Sequence, residues 1–431
     1  MNDLTRRGFL GLAGAAGVAA GLAACAGSGS SPTSSGGGAG GPIQFWSNHP
    51  GTSKDTETKI IEAFQKANPG FTVSHIDGGK NYEEVAQKFN AALAGGQLPD
   101  VIVASDVTWF NFALNKQLAP LDDLLSAAGL KTDDYVDALY NDYKFNGKHY
   151  ALPFARSTPL FYYNKAMWSA AGLPDRGPAT WEEFKEWAPK LAAAIGADKV
   201  PLQMADGSNY LDWYFQNMAW SMGGQMSKEW TATASDPKTV AAGTFLQDLA
   251  KNKWVKFSKS PDAEFSAGIA ACALQSTGTL GGITKNAKFD FGTAFLPGDG
   301  ACPTGGAGVA IPAGLSDERK KNAVKFIEYL TNVESTVTFT QATGYMPVRK
   351  SALDNEAEKA FLKKNPRAKV AVQQLAKTRS QDNARVLVPG GGARIGKALD
   401  QIAQGQDVAT VFAALDKETQ AAIDSQIKPK L

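Results

Sequence analysis

Short apolar strands alternate with amphipathic helices along the first quarter of the chain, and this alternation limits the fold more than any other feature. Residues 43–46 alternate as a strand does, a helical pattern covers 55–68, and residues 71–76 form the next strand pattern. A second helical pattern over 82–94 leads to the fully apolar run 101–103, which is typical of a strand buried in a parallel sheet. This order predicts a doubly wound α/β lobe.

The same pattern returns later in the chain. Thr180 and Glu183 have the spacing of a capping box, which predicts a helix beginning just after Thr180. Helical periodicity also covers 318–330 and 352–364. Strand patterns cover 150–153, 160–163, 289–296 and 305–311. No period of 20 to 50 residues occurs, so a repeat architecture is excluded.

The N-terminal residues have the pattern of a lipoprotein export signal. Arg6 and Arg7 precede an apolar, Gly/Ala-rich run that ends in Leu-Ala-Ala-Cys25. Twin arginines indicate the export route for prefolded proteins, and the ending resembles the lipobox, whose cysteine receives a diacylglyceryl group. The run is too short for a transmembrane anchor, because the hydrocarbon core is about 30 Å thick. We expect a signal peptide over 1–24, lipidation of Cys25, and anchoring to the outer face of the cytoplasmic membrane.

Length and composition point to a soluble body on a tether. Residues 25–41 are almost all Gly, Ser, Pro, Thr and Ala, which predicts a flexible linker. About 390 residues follow, more than one hydrophobic core usually supports, so two lobes are expected. With 44 basic and 42 acidic residues, nothing favours a nucleic-acid partner. His49, His75 and His149 lack ligand spacing, so no metal site is predicted.

Two cysteines remain after Cys25, and the sequence leaves their state open. A disulfide between Cys272 and Cys302 is compatible with an exported protein. The alternative is two buried thiols that act as small apolar groups.

Five segments resemble the family 1 extracellular solute-binding proteins, the ligand-capturing subunits of ABC importers. They occur in the family's order along nearly the whole mature chain and cover 45–46, 98–101, 162–165, 178–184 and 344–349. The resemblance implies an α/β, type II periplasmic-binding-protein fold of two discontinuous lobes joined by a hinge. One lobe would comprise 43–153 plus 298–348 and the other 154–297 plus 349–431, with the ligand held between them.

Further segments resemble the members that bind glycerol-3-phosphate and glycerophosphodiesters, with the actinobacterial, glycerophosphocholine-preferring ones nearest. They are 82–90, 155–159, 302–307, and Arg385 with the loop 389–391. The resemblance implies capture of glycerophosphocholine or sn-glycerol-3-phosphate without catalysis and without a cofactor. The expected partners are an ABC permease and its ATPase, and we expect the protein to be a monomer.

This resemblance also implies residues that hold the phosphate. The planar guanidinium of Arg385 matches two phosphate oxygens, although a surface ion pair is the alternative. A bare backbone at Gly306 lets its N–H approach the ligand. Ser157, Ser276 and Tyr345 would supply neutral hydroxyl groups.

A choline head group is a cation without hydrogen-bond donors, so aromatic faces must recognise it. Tyr82 and Trp213 match family positions in the cleft, and Tyr210 is expected on the same helix face as Trp213, where its size would set the head-group pocket. Asp106 would accept from glycerol hydroxyls or offset the ammonium charge, and a helix N-cap is its alternative role.

The sequence also bears on three other functions. Residues 391–398 have the glycine and lysine spacing of a P-loop, but Ala398 replaces the Ser/Thr that holds Mg²⁺, which favours a Gly-rich loop opening a helix. A sugar or oligosaccharide receptor would also line its cleft with Trp and Tyr. An exported glycerophosphodiester hydrolase would need metal ligands, which three scattered histidines do not supply.

Overall fold

The computed structural model describes residues 41–48, 52–298 and 301–431. The expected signal peptide, the lipidation site at Cys25 and the linker up to residue 40 lie outside the described residues.

The strands are β1 Ile43–Ser47, β2 Val73–Asp77, β3 Val101–Ser105, β4 Lys144–Phe145, β5 Lys148–His149, β6 Leu152–Ser157, β7 Pro159–Asn164, β8 Val200–Ala205, β9 Ser227–Lys228, β10 Thr231–Ala232, β11 Val255–Ser258, β12 Ala270–Ser276, β13 Phe291–Ala294, β14 Cys302–Pro303, β15 Gly305–Ala310 and β16 Thr378–Arg379.

The α-helices cover the sheets and most of the C-terminal third. They are α1 Thr52–Ala67, α2 Tyr82–Gly95, α3 Trp109–Leu114, α4 Asp122–Ala127, α5 Asp137–Asn141, α6 Lys165–Ala170, α7 Trp181–Ile195, α8 Leu211–Ser221, α9 Pro237–Lys251, α10 Pro261–Ser266, α11 Leu280–Asn286, α12 Asp317–Leu330, α13 Val333–Thr343, α14 Glu356–Lys364, α15 Pro366–Gln374, α16 Asn383–Val386, α17 Gly391–Ala403 and α18 Val408–Ala422. Within the described residues, none of these helices is long and apolar enough to cross a bilayer.

Two five-stranded sheets have the same internal arrangement. The first has the order β2-β1-β3-β15-β6 and the second β11-β8-β12-β7-β13. In each, the first three strands are parallel, the fourth runs antiparallel to them, and the fifth is antiparallel to the fourth. The inner strands β3, β7 and β8 and the edge strand β6 are buried along their whole length, as expected for sheets covered on both faces. The predicted two-lobed α/β fold is confirmed.

The chain passes from the first sheet to the second at Thr158, between β6 and β7, and returns between β13 and β15. This crossing is buried and hydrogen-bonded. The Thr158 N–H donates to Thr277 Oγ1 at 3.2 Å, and Gln374 Nε2 donates to Thr158 Oγ1 at 3.0 Å. Strands of both sheets therefore end next to Thr158, where hydrogen bonds hold the crossing chain in place. A ligand cleft is expected at this junction between the two sheets.

Most predicted elements are present, and the differences have local causes. Thr180 caps α7, its Oγ1 accepting from the Glu183 N–H at 3.0 Å. The helix predicted over 352–364 was wrong at its start. A 3₁₀ turn covers Lys350–Asp354, and α14 begins only after Asn355, whose side chain caps it. β13 is shorter than the predicted strand and covers Phe291–Ala294.

The disulfide that the sequence left open is not present in the structure. Cys272 and Cys302 are both buried and are not bonded to each other. The Cys272 thiol donates to the Pro201 carbonyl at 3.1 Å, while Cys302 Sγ lies 3.8 Å from the Gln374 carbonyl oxygen. The two side chains face different neighbours, so the alternative of two buried thiols is correct. Burial raises the pKa of Cys272 well above its ordinary value, which keeps it protonated.

Candidate functional site

A cavity of about 300 Å³ lies where strand ends from the two sheets meet. It is lined by the ends of β6 and β12, the start of β15, the residue after β3, and the start of α2 and α8. All nine residues predicted to bind ligand line this cavity: Tyr82, Asp106, Ser157, Tyr210, Trp213, Ser276, Gly306, Tyr345 and Arg385. Residues from distant parts of the chain thus form one concave surface.

Glycines at the start of β15 shape the cavity floor. Gly306 has φ 88°, and a Cβ there would lie 2.0 Å from the Ala155 carbonyl oxygen, so only glycine fits. A Cβ on Gly305 would lie 2.5 Å from the Trp213 ring. The indole therefore packs closely against bare backbone, and its Nε1 donates to the Thr304 carbonyl at 3.1 Å. These contacts fix the position of the Trp213 ring at the cavity.

Arg385 is buried in an ion-pair network, being 3% exposed. Its Nε donates to Asp212 Oδ2 at 2.6 Å, and its Nη1 donates to Asp106 Oδ2 at 2.9 Å and to Gln381 Oε1 at 2.6 Å. Its Nη2 makes no hydrogen bond within the described part of the chain. The surface ion pair weighed for Arg385 was wrong, because both of its carboxylate partners are buried with it.

Asp106 does not act as a helix N-cap, the alternative role weighed for it. α3 begins at Trp109, and Thr108 is its N-cap residue. The Asp106 carboxylate instead accepts from Arg385 and from Gln381 Nε2, the latter at 2.8 Å. Its backbone N–H donates to the Gly306 carbonyl at 3.0 Å, which ties it to the cavity floor.

The electrostatics of this cluster follow from burial. Burial raises the pKa of Asp212, although the charge of Arg385 opposes the shift. Burial alone would lower the pKa of Arg385, but Asp212 and Asp106 more than offset this effect and raise it. Burial also raises the pKa of Glu83, with a smaller increase from the charges of Asp106 and Asp212. The network is therefore a buried cation held between carboxylates.

Aromatic side chains also line the cavity. Burial raises the pKa values of Tyr82 and Tyr345, and a hydrogen bond joins their hydroxyl groups. A Cβ on Gly278 would lie 2.7 Å from the Tyr345 ring, so the absence of a side chain at Gly278 leaves room for this ring. Tyr345 also stacks on Phe339 with ring centroids 5.5 Å apart.

Tyr210 differs from its prediction. It does not share a helical face with Trp213, because α8 begins at Leu211 and Tyr210 precedes it in the left-handed region at φ 78°. This conformation is uncommon for a residue with a side chain. Tyr210 nevertheless lines the cavity, and burial raises the pKa of its hydroxyl group above the ordinary range.

Sequence reasoning missed several residues of the site. Asp212 and Gln381 hold Arg385, and Asn48, Tyr214, Asp262 and Gly278 also line the cavity. Asp212 lies in an aromatic segment that is typical of a hydrophobic core. An acidic residue in such a segment indicates a buried, paired carboxylate, and this signal could have identified Asp212.

Two other cavities lie near this one. A space of about 580 Å³ shares Asn81, Tyr210 and Arg385 with the first cavity, is also lined by Asp212, and extends to the start of α17. A space of about 780 Å³ lies between α11, α13, α15 and β13, and none of the nine residues lines it.

Residues 391–398, which have the glycine and lysine spacing of a P-loop, form the first turns of α17, and no strand among the described residues directly precedes them. Among the described residues, no group of three or more His, Cys, Asp or Glu is placed to hold a metal ion.

The sequence from residue 59 to residue 370 matches the family of bacterial extracellular solute-binding proteins, which covers well over half of the chain. The chain belongs to this family. Among solved structures, this solute-binding protein is similar to UgpB from Mycobacterium tuberculosis in complex with glycerophosphocholine. The sequences are 51% identical with a TM-score of 0.87, and the match covers 90% of this chain and 99% of that one.

Two further relatives are more distant. The sn-glycerol-3-phosphate-binding periplasmic protein UgpB of Escherichia coli (strain K12) is 27% identical over 356 residues, which cover 77% of this solute-binding protein and 80% of the relative. The acarbose-binding GacH receptor of Streptomyces glaucescens GLA.O has a TM-score of 0.77 at 21% identity, covering 89% and 98% of the two chains. The second likeness concerns the fold alone.

Proposed function

We propose that this solute-binding protein is the substrate-binding subunit of an ABC importer and captures glycerophosphodiesters. Glycerophosphocholine is the leading ligand, with sn-glycerol-3-phosphate as the second. One observation carries the proposal: the nine residues that the family resemblance implies surround a single cavity, with the buried Arg385 in its wall. The 51% identical relative solved with glycerophosphocholine supports the same ligand class.

The proposed phosphate site uses groups that match a phosphodiester. Arg385 keeps Nη2 outside its hydrogen bonds to the described residues, so this nitrogen can donate to a phosphate oxygen. Ser157, Ser276 and Tyr345 bring neutral hydroxyl groups to the same cavity, and Gly306 brings bare backbone. Neutral donors orient the phosphate without adding charge to a buried site.

The proposed head-group site uses aromatic faces. Tyr82, Tyr210 and Trp213 line the cavity together, and a quaternary ammonium is attracted to such faces within about 6 Å. The carboxylate of Asp106 lies beside them and adds negative charge. It can also accept hydrogen bonds from glycerol hydroxyl groups.

The mechanism is capture without chemistry. The ligand bridges lobe 43–153 plus 298–348 and lobe 154–297 plus 349–431, stabilises their closed arrangement, and is delivered to a permease driven by a cytoplasmic ATPase. A monomer suffices for this role. Lipidation of Cys25, after twin-arginine export, would hold the protein on the outer face of the cytoplasmic membrane.

A sugar or oligosaccharide receptor is the second candidate. Aromatic rings beside Asp106 and Asp262 in one cavity would also suit a sugar. Calorimetric titration of the purified chain with glycerophosphocholine, glycerol-3-phosphate and maltose separates the candidates. We expect one-to-one binding of the diester and no signal from maltose. Binding of maltose alone would remove every phosphate role proposed here, and hydrolysis of the diester with added Mn²⁺ would instead support an enzyme.

A further inference from the structure

At the cavity, buried carboxylates outnumber buried cations. Arg385 is a buried cation of the cavity wall, and it lies between the carboxylates of Asp106 and Asp212, at 2.9 and 2.6 Å. The side chains of both aspartates are at most 11% exposed. Lys80 and Lys259 also line the cavity, but both are exposed, so solvent screens them.

The other charged neighbours do not restore the balance. Glu83 and Asp262 add carboxylates near the same space, and Lys397, which lines the space beside it, is exposed and therefore screened by solvent. Arg156, next to Ser157 in the chain, is fully buried, but it pairs with Asp142 and donates to the Tyr143 hydroxyl group, so its charge is already matched. A ligand phosphate therefore meets one arginine whose charge two carboxylates already oppose.

Asp212 differs from Asp106 in its position. Asp106 lines the ligand cavity, whereas Asp212 lies behind Arg385, on the first turn of α8. Its Oδ2 is so close to the start of α17 that a Cβ on Gly392 would lie 2.9 Å from it. Two helix N-termini thus face this carboxylate, and their dipoles favour its negative charge. Asp212 therefore holds Arg385 from the side away from the ligand.

This arrangement treats phosphomonoesters and phosphodiesters differently. A phosphomonoester carries about −1.5 to −2 charges at pH 7, because its second pKa is near 6. A phosphodiester carries a single negative charge, and a cationic head group cancels it. The additional charge of the monoester has no additional buried cation to pair with, while the surrounding carboxylates repel it.

We propose that Asp212 determines the charge class of the ligand: by offsetting Arg385 from behind, it makes the cleft select glycerol phosphodiesters over glycerol phosphomonoesters. This inference rests on the proposed function. Asp212 acts here as a positioning residue through Arg385, and its effect is on the difference between ligands. A purely structural role would weaken all ligands equally.

The test uses ligands that differ in charge and little else. Glycerol-3-phosphate, its methyl ester, its ethyl ester and glycerophosphocholine are titrated calorimetrically into the full chain and into Asp212→Asn. We expect the wild type to bind the methyl and ethyl esters alike and the monoester at least tenfold more weakly, as expected for one unit charge near a partly buried site. Asp212→Asn should reduce the monoester-to-methyl-ester ratio of Kd values about tenfold.

Two matched variants separate charge from general damage. Asp262→Asn removes a carboxylate of the same cavity that no ion pair joins to Arg385, and it should leave the ratio within about twofold, as expected for a more solvent-screened charge. Asp212→Glu keeps the charge and should keep the selectivity. The ratio is independent of the folded fraction, because both ligands bind the same protein.

Several outcomes would overturn the inference. Equal wild-type affinity for the monoester and the methyl ester would do so even if Asp212→Asn did not fold. An unchanged ratio in a folded Asp212→Asn, or an equal change in Asp262→Asn, would do the same. Failure of every glycerophosphate ligand to bind the wild type would instead contradict the proposed function.

Discussion

Arg385 and Asp106 are 279 positions apart in the chain, and their side chains meet at 2.9 Å in a buried ion pair. Asp106 follows β3 of the first sheet, while Arg385 lies on α16, which contacts α17 and the helices over the second sheet. The pair therefore joins the two halves of the molecule within the cavity wall.

Arg385→Ala should abolish glycerophosphocholine binding and destabilise the fold. The substitution leaves Asp106 and Asp212 buried without their cation, and removing one partner of a buried pair costs about 3–5 kcal/mol. Calorimetry and urea unfolding measure the two effects. The control is Arg379→Ala, because Arg379 is exposed and lies over the Trp220 ring. Equal diester affinity in Arg385→Ala and the wild type would refute the phosphate role.

Gly306→Ala should lower the free energy of unfolding by several kcal/mol, because its Cβ would collide with the Ala155 carbonyl at a left-handed backbone position. Gly405→Ala is the matched control. Gly405 has φ 95°, but its Cβ would meet nothing within 4 Å, so only backbone strain of about 1–2 kcal/mol is expected. Urea unfolding compares the two, and equal losses would show that the collision at Gly306 has no energetic effect.

Stability should fall as pH rises from about 4 to 6, in part because of Asp382. Burial raises its pKa to about 6, even though its carboxylate accepts from the Met226 N–H and Trp220 Nε1. The folded state therefore binds this proton more tightly than the unfolded state, so the contribution is present below the unfolded pKa and lost as pH passes 6. The expected change is about 2–3 kcal/mol.

The comparison for Asp382 is Asp382→Asn, which cannot titrate. Unfolding free energies of both proteins are measured in urea between pH 4 and pH 7. The difference between them should change with pH over this interval and become constant above it. A difference that is independent of pH would show that Asp382 does not titrate near 6.

Reducing agent should leave the thermal unfolding midpoint unchanged. Cys272 and Cys302 are not bonded, whereas a disulfide closing their 30-residue interval would contribute about 3–4 kcal/mol. Scanning calorimetry with and without dithiothreitol measures this directly. Thiol titration adds a second reading, since both thiols should react only after unfolding. A clear fall of the midpoint on reduction would indicate a disulfide.

Local patterns in the sequence predicted much of the fold. The apolar run 101–103 predicted a buried parallel strand, and β3 is buried along its whole length. Thr180 predicted the start of α7, because a cap and its helix are neighbours in sequence. The nine site residues came from the resemblance to a known family, and they line one cavity.

Only the tertiary structure decided how those residues are paired. The periodicity of the sequence cannot predict that Asp212 lies 2.6 Å from Arg385. The two residues are 173 positions apart, and periodicity describes only the local segment around each one. For the same reason the sequence left open whether Cys272 and Cys302 are bonded and whether Arg385 forms a surface ion pair. Backbone strain at Tyr210 was hidden for a related reason, since a left-handed residue is maintained by its surroundings. The sequence by itself determined the helices and strands and the residue types that line the cavity, while packing between distant segments determined which side chains are buried and which ones pair.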